Sequence, residues 1–145
     1  MAGVTVEALL ARLQQIHDDA DDAAKEAANA MSAVGERAIK QELGVSSHPP
    51  GTRTPAAPGM PPSLVTGQLR RSVRQTRLYQ TGRGQWTAHV APTTVYGRIQ
   101  ELGGRAGRHH RSNLPARPYV SRGFLKSQSK ARDAAIRVFR SRTET

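Results

Sequence analysis

The sequence predicts an α+β fold: a long N-terminal helix and a C-terminal helix packed on a small antiparallel β-sheet, with a proline-rich extended arm between the first helix and the sheet. Three observations lead there. Apolar residues recur three or four apart from Thr5 to Leu43 and again beyond Ser121. Six prolines crowd residues 44–65. Two strand-like runs, VRQTRLYQ and QWTAHVA, flank a glycine-bearing turn. A chain of 145 residues suits one domain, burying roughly 68–70% of its unfolded surface, so residues 1–145 read as a single unit.

The first helix spans 1–43 at its widest, with Thr5 able to cap its start and Gly44 to end it. Leu and Ile fill its first turns, whereas Ala dominates residues 20–30, where a neighbouring backbone can approach closely. Asp18, Asp19, Asp21 and Asp22 lack the glycine turn and terminal glutamate of a calcium loop and continue the helical pattern, so they read as a solvated or partner-facing acidic face. Residues 44–65, GVSSHPPGTRTPAAPGMPPSLV, hold one basic residue and no regular periodicity, and read as an extended arm of polyproline character. The arm is expected to clasp a neighbouring subunit.

Residues 66–120 then supply the sheet and a short helix. Thr66–Ser72 reads as one helical turn leading into strand 73–80; a turn at 81–84 precedes strand 85–91, which Pro92 ends. Thr93 can cap a short helix, TVYGRIQEL, stopped by Gly103 and Gly104. Residues 103–113 read as a flexible basic loop. The last helix is expected over 121–142, with Phe124, Leu125, Ala131, Ala135, Val138 and Phe139 turned toward the core.

Charge separates sharply along the chain. Residues 1–44 carry eight acids and four bases, a net of −4, and residues 45–145 carry eighteen bases and three acids, a net of +15. Such asymmetry implies acidic partners for the second part, either nucleic acid or other subunits. The absence of cysteine excludes disulfides, thiolate metal sites and a thiol nucleophile. MAGVTVEALL is not a signal peptide, and no segment approaches the ~20 apolar residues of a membrane span, so a soluble protein of the cytoplasm is expected.

Catalytic chemistry lacks its parts. Beyond the first helix only Glu101, Asp133 and Glu144 are acidic, too few for a carboxylate pair in a cleft. His109 and His110 are adjacent, and no Cys, Asp or Glu stands near to complete a metal shell. GRGQ and GGRAG lack the strand-to-helix setting and the Lys-Ser/Thr of phosphate-cradling loops. No enzyme activity, cofactor or metal is expected. Arg105, Arg108, His109, His110 and Arg111 form a basic cluster suited to sequence-independent contact with DNA phosphates or to acidic neighbouring subunits. Six scattered aromatics offer no stacking platform for base recognition.

Three motifs, in order, resemble one family. PGMPPSLVTGQLRRSV carries Thr66, Gly67 and Leu69; VYGRIQELGG carries Tyr96, Glu101, Leu102 and Gly103; LPARPYV carries Pro115, Arg117, Pro118 and Tyr119. Together they resemble the head–tail connector, or tail-completion (neck), proteins of long-tailed bacteriophages, with Leu102 in place of a usual aromatic and Tyr119 in place of phenylalanine. The resemblance implies a structural virion protein, assembled in the host cytoplasm. It implies a ring, commonly a hexamer, between portal and tail, through which DNA passes on ejection. Stopper, completion and terminator roles all occur within that connector, and the implied partners are neighbouring connector, terminator or tail-tube proteins. It further implies that Thr66 and Gly67 start the turn into the sheet, that Tyr96 and Leu102 anchor the short helix, and that Pro115 and Pro118 stiffen the approach to the last one. The competing reading is a free basic protein that binds nucleic acid irrespective of sequence. One pairing is also expected: Glu101, the single acid between residues 43 and 132, with Arg117.

Overall fold

The structure is a computed structural model and describes residues 5–144. Helix α1 (Val6–Glu42) is followed by the proline-rich segment, then by α2 (Gln68–Ser72), β1 (Val73–Gly82), β2 (Gln85–Pro92), α3 (Gly97–Leu102), β3 (Gly104–Ala106), a single 3₁₀ turn (Arg108–His110), β4 (Ser112–Leu114) and α4 (Val120–Thr143). The fold is α+β, with the long helices and antiparallel hairpin that the sequence predicts.

Thr5 caps α1 as its position suggests: its side-chain oxygen accepts from the Ala8 amide at 3.2 Å, satisfying one of the unpaired donors at the helix start. Strands β1 and β2 form an antiparallel ladder from Val73 opposite Pro92 to Gly82 opposite Gln85, with irregularities near Thr76 and Thr81. Helix α1 packs against both this hairpin and α4. The core is small. Ile39, Leu43, Val73 and Tyr119 form it, with Leu69, Val90 and Val120 packed around them.

The α1–α4 contact is made by small residues. Ala23 and Ala27 are buried on one side and Gly123, Ser127, Ala131 and Ala134 on the other. At the tightest point a Cβ added to Gly123 would stand 2.7 Å from the Ile39 Cα and 2.8 Å from its nitrogen, so only glycine fits. This corrects the expected inward face of α4. Ala131 is buried, but Phe124 and Leu125 are 57% and 66% exposed, and Phe139 is exposed as well. Backbones this close leave no room for large side chains between them, so the helix turns its small-residue face inward.

Three further expectations are corrected. Thr93 does not cap α3; Tyr96 occupies that position, and the Thr93 amide instead donates to the Ser72 carbonyl at 3.1 Å, where the hairpin closes. Residues 103–113 are not a featureless loop, because β3 and β4 pair as a miniature hairpin. The proline-rich segment is not an extended arm. Its two ends meet at a parallel bridge between Ser47 and Leu64, with the His48 amide on the Leu64 carbonyl at 2.9 Å and the Leu64 amide on the Ser46 carbonyl at 2.8 Å. Its far side returns to its own chain, the Gly59 amide donating to the Ala116 carbonyl at 3.0 Å.

Asp21 also departs from the solvated role expected of the acidic run. Its Oδ1 accepts from Gln80 Nε2 at 2.9 Å, the Gly84 amide at 3.1 Å and Trp86 Nε1 at 3.3 Å, pinning the tip of the β1–β2 hairpin to α1. Beyond this pin every side chain from Thr5 to Ile16 is exposed.

Candidate functional site

The sequence motifs converge on the start of α4. Glu101, on α3, is the organising residue. Its carboxylate accepts from the amides of Tyr119 (2.6 Å), Val120 (2.9 Å) and Ser121 (3.0 Å), and from the Ser121 hydroxyl (2.7 Å). A helix start exposes unpaired N–H groups and a partial positive charge, and a carboxylate answers both. Burial pushes the Glu101 carboxyl upward, but these hydrogen bonds outweigh it and hold the group below its ordinary value.

The expected Glu101–Arg117 pair is not formed. The ion pairs among the described residues are Lys40–Glu36, Lys126–Glu42 and Arg142–Glu26. Arg117 is instead buried, and its Nε donates to the Ala56 carbonyl at 3.0 Å, which holds the proline-rich segment against the motif. The amide of Arg117 donates to the Gln100 carbonyl at 2.8 Å, so α3 and the LPARPYV stretch are joined through the backbone. Expectation and structure agree on which segments meet and differ on which atoms do it.

The other motif residues fall around this junction. Tyr119 is fully buried, and its hydroxyl donates to the Gly97 carbonyl at 3.0 Å; burial, then the nearby Glu101 charge, raises its phenol far above the ordinary value. Pro115 and Pro118 flank Ala116 and Arg117 in the irregular stretch between β4 and α4. Gly103 has φ +70°, and an added Cβ would lie 2.7 Å from the Ala116 nitrogen, which explains its place after α3 on both conformational and steric grounds. Leu102 does not anchor α3: it is 63% exposed. Tyr96 is half-buried beside Leu43, Thr66, Gly67 and Leu69, so the first motif meets the second across a shallow pocket. Gly67 begins α2 in the left-handed conformation at φ 72°, and Arg71 Nη1 donates to the Thr66 carbonyl at 3.1 Å.

The basic cluster lies on the miniature hairpin. Arg105 is on β3, and Arg108, His109, His110 and Arg111 make the connecting turn; all five are exposed. His109 and His110 hold φ of 59° and 53°, which turns the chain tightly enough for three-residue strands to pair. None of the three arginines joins an ion pair among the described residues. The sequence carried no alternation that reveals so short a hairpin.

A second surface went unnoticed in the sequence. An apolar trough of about 910 Å³ runs between α1, β2, α3 and α4, and Met31, Trp86, Leu102, Phe124 and Ala131 are among its walls. Phe124, expected in the core of α4, and Leu102, expected to anchor α3, are therefore on its rim.

Comparison with known proteins places the chain. A family model described as "Bacteriophage HK97-gp10, putative tail-component" matches residues 7–103, about two thirds of the length, from the first turn of α1 to the end of α3. No curated protein and no solved structure matches the chain. The matched region contains Thr66, Gly67, Leu69, Tyr96, Glu101, Leu102 and Gly103, while LPARPYV lies beyond it. On that match the chain belongs to the HK97-gp10-like family of bacteriophage tail components.

Proposed function

We propose that the protein is a structural, non-enzymatic component of the connector that joins a phage head to its tail, and that it works as a ring through which DNA passes. The observation that carries this reading is incomplete burial. The chain exposes 10365 Å² for 15.7 kDa, against about 7,300 Å² expected of a compact monomer of that mass. Part of this surface is apolar: Val6, Leu9, Leu10, Leu13, Ile16, Leu102, Phe124 and Leu125 are all more than half exposed. A surface of this kind is completed by neighbours in an assembly. The non-enzymatic part of the reading is supported by Glu101, whose carboxylate is engaged as a helix cap.

The basic hairpin gives such a ring a face for DNA. Arg105, Arg108 and Arg111 are exposed on this small hairpin without acidic partners among the described residues. They suit phosphate contact that ignores sequence, as a conduit for any genome requires. The same arginines favour the second reading, a free nucleic-acid-binding protein.

Reconstruction of phage particles tests the first reading. Density for this chain as a closed ring between portal and tail tube is the expected result, and its position along the axis assigns the stopper, completion or terminator role. Mature particles that lack the chain, or that carry it away from the neck, overturn the proposal.

A further inference from the structure

Strand β2 has only one edge in use. The Thr93 amide donates to the Ser72 carbonyl, and the Gln75 amide turns away from β2 to reach Glu36 Oε2 at 3.1 Å. Both irregularities of the ladder lie in β1, so the alternation runs unbroken along β2. Thr87, His89 and Ala91 direct their backbone groups to β1, and Trp86, Ala88 and Val90 direct theirs outward. No other strand pairs with that outer edge, and among the described residues no backbone group bonds to it. The edge does not stand alone in water: residues 86–92 form one wall of the apolar trough, opposite Val120, Phe124 and Ala131 of α4.

The trough exists because one layer of the fold is narrower than the other. Helix α1 packs against both strands and against α4, whereas α4 has no comparable packing with the hairpin. Neighbouring helix axes stand roughly 8–10 Å apart and paired strands only about 4.8 Å. A two-stranded ribbon seated on α1 therefore leaves the adjacent helix bare. Phe124 is exposed on that side, and no residue of β2 is buried. We infer that the trough receives an extended segment of another protein, which pairs with the outer edge of β2 as a third strand and covers the open side of α4.

Backbone chemistry selects that occupant. Unpaired amides and carbonyls at alternate residues match an extended chain and not a helix. Residues 86–92 span roughly 23 Å, room for a segment of about seven residues. One face of the added strand meets the apolar side of α4 and the other meets water, so its side chains alternate apolar and polar. Arg98 stands at the α3 end of the trough, and Arg140 borders its continuation past Trp86 toward the hairpin tip. Both are exposed, and neither joins an ion pair among the described residues. Glu101, the single acid on these walls, is taken up by the amides of α4, so acidic residues suit both ends of the segment. A second copy does not supply it. Its hairpin arrives with its own α1 beneath, in the layer that α4 already fills. Its proline-rich segment is tied to its own chain at Ala56 and Gly59, and six of that segment's residues lack an amide hydrogen. The inference requires neither a ring nor DNA and stands apart from the connector reading.

The test titrates a synthetic peptide, acetyl-EVTVTVE-amide, into the full chain and follows backbone amides by NMR and hydrogen exchange. The peptide should bind with a Kd below about 1 mM. The amides of Trp86, Ala88 and Val90 should exchange fast in the free protein and become protected on binding, while those of Thr87, His89 and Ala91, already committed to β1, change little. Two N-methylated peptides then separate the peptide's own edges: methylation of one alternate set of amides should abolish binding, and methylation of the other set should leave it nearly unchanged. Ala88→Pro removes one outward amide and no ladder bond, at an edge position where strands accept proline. With the hairpin intact by NMR, this variant should bind at least about tenfold more weakly, and Ala88→Ser, which keeps the amide, should bind as the wild type does. Should Ala88→Pro disturb the hairpin, the methylated pair still decides, because it leaves the protein unaltered. No binding at about 1 mM, an equal effect of both methylation patterns, or no new protection at the three outward amides overturns the proposal. Protection of those amides that rises with protein concentration in the absence of peptide would give the edge to a second copy and also overturn it.

Discussion

Glu101 Oε2 lies 2.6 Å from the backbone nitrogen of Tyr119, and that contact fastens α3 to the first turn of α4. The same carboxylate also satisfies the Val120 and Ser121 amides. Loss of an N-terminal helix cap costs about 0.5–2 kcal/mol, and Glu101→Ala is expected at the upper end because several donors lose their acceptor together. Denaturant unfolding of the variant and wild type measures the difference.

Acidity should reveal the same contact. The Glu101 carboxyl titrates below its ordinary 4.5 in the folded protein, so the folded state holds the proton less readily than the unfolded chain. Its contribution to stability is therefore complete above about pH 4.5 and is lost as pH falls through the lowered folded value. Glu36, lowered first by its hydrogen bond to Lys40, adds a parallel loss. The melting difference between wild type and Glu101→Gln should be greatest near neutrality and shrink toward pH 3; a difference constant across that range contradicts the assignment.

Two glycines on the facing long helices should respond in opposite directions to the same substitution. Gly123→Ala drives a methyl group into the Ile39 backbone, and overpacking of this kind costs about 1–3 kcal/mol or more. Gly35 has nothing within 4 Å of an added Cβ, and Gly35→Ala inside a helix should stabilise by about 0.5–1 kcal/mol. Thermal melts of the pair decide it.

Replacing Arg105, Arg108 and Arg111 together with serine should leave the melting temperature nearly unchanged, since all three are exposed and outside the core. Binding to duplex DNA should weaken, and its logarithmic salt slope should fall by about 2–3, as expected for three lost phosphate contacts. An unchanged slope would assign these arginines to protein neighbours.

Hydrogen exchange addresses the proline-rich segment. The amides of His48, Gly59 and Leu64 are bonded within the chain and should exchange slowly in the free protein, while Arg53, Thr54 and Ala57 exchange fast. Arg117→Ala removes the bond to the Ala56 carbonyl and should accelerate Gly59 most.

What the sequence made legible follows from what its signals encode. The long helix and its Thr5 cap, the hairpin and its turn, and the meeting of the second and third motifs were readable because periodicity, capping chemistry and turn residues act locally. Glu101 was singled out because it is a lone acid among bases, but charge counting pointed to Arg117. The unpaired amides at a helix start carry no letter in the sequence. Phe124 and Leu125 were placed inward because large apolar residues usually are. The contrary signal was present in Gly123, Ser127 and Ala131, small residues four apart, facing Ala23 and Ala27 on the other helix. The miniature hairpin is set by positive φ at His109 and His110, a choice that residue type does not announce. The exposure of the start of α1 was invisible because an apolar stripe reads alike whether its partner is the same chain or another.

The bridge between Ser47 and Leu64 makes the proline-rich segment a lasso tied at its own base. Foreign peptide spliced between Arg53 and Thr54, both exposed, enlarges a ring whose closure is already secured, at about 0.6 kcal/mol for each doubling of length. That position is a port at which an epitope or fluorophore can be mounted, leaving the helices and the basic hairpin as they are.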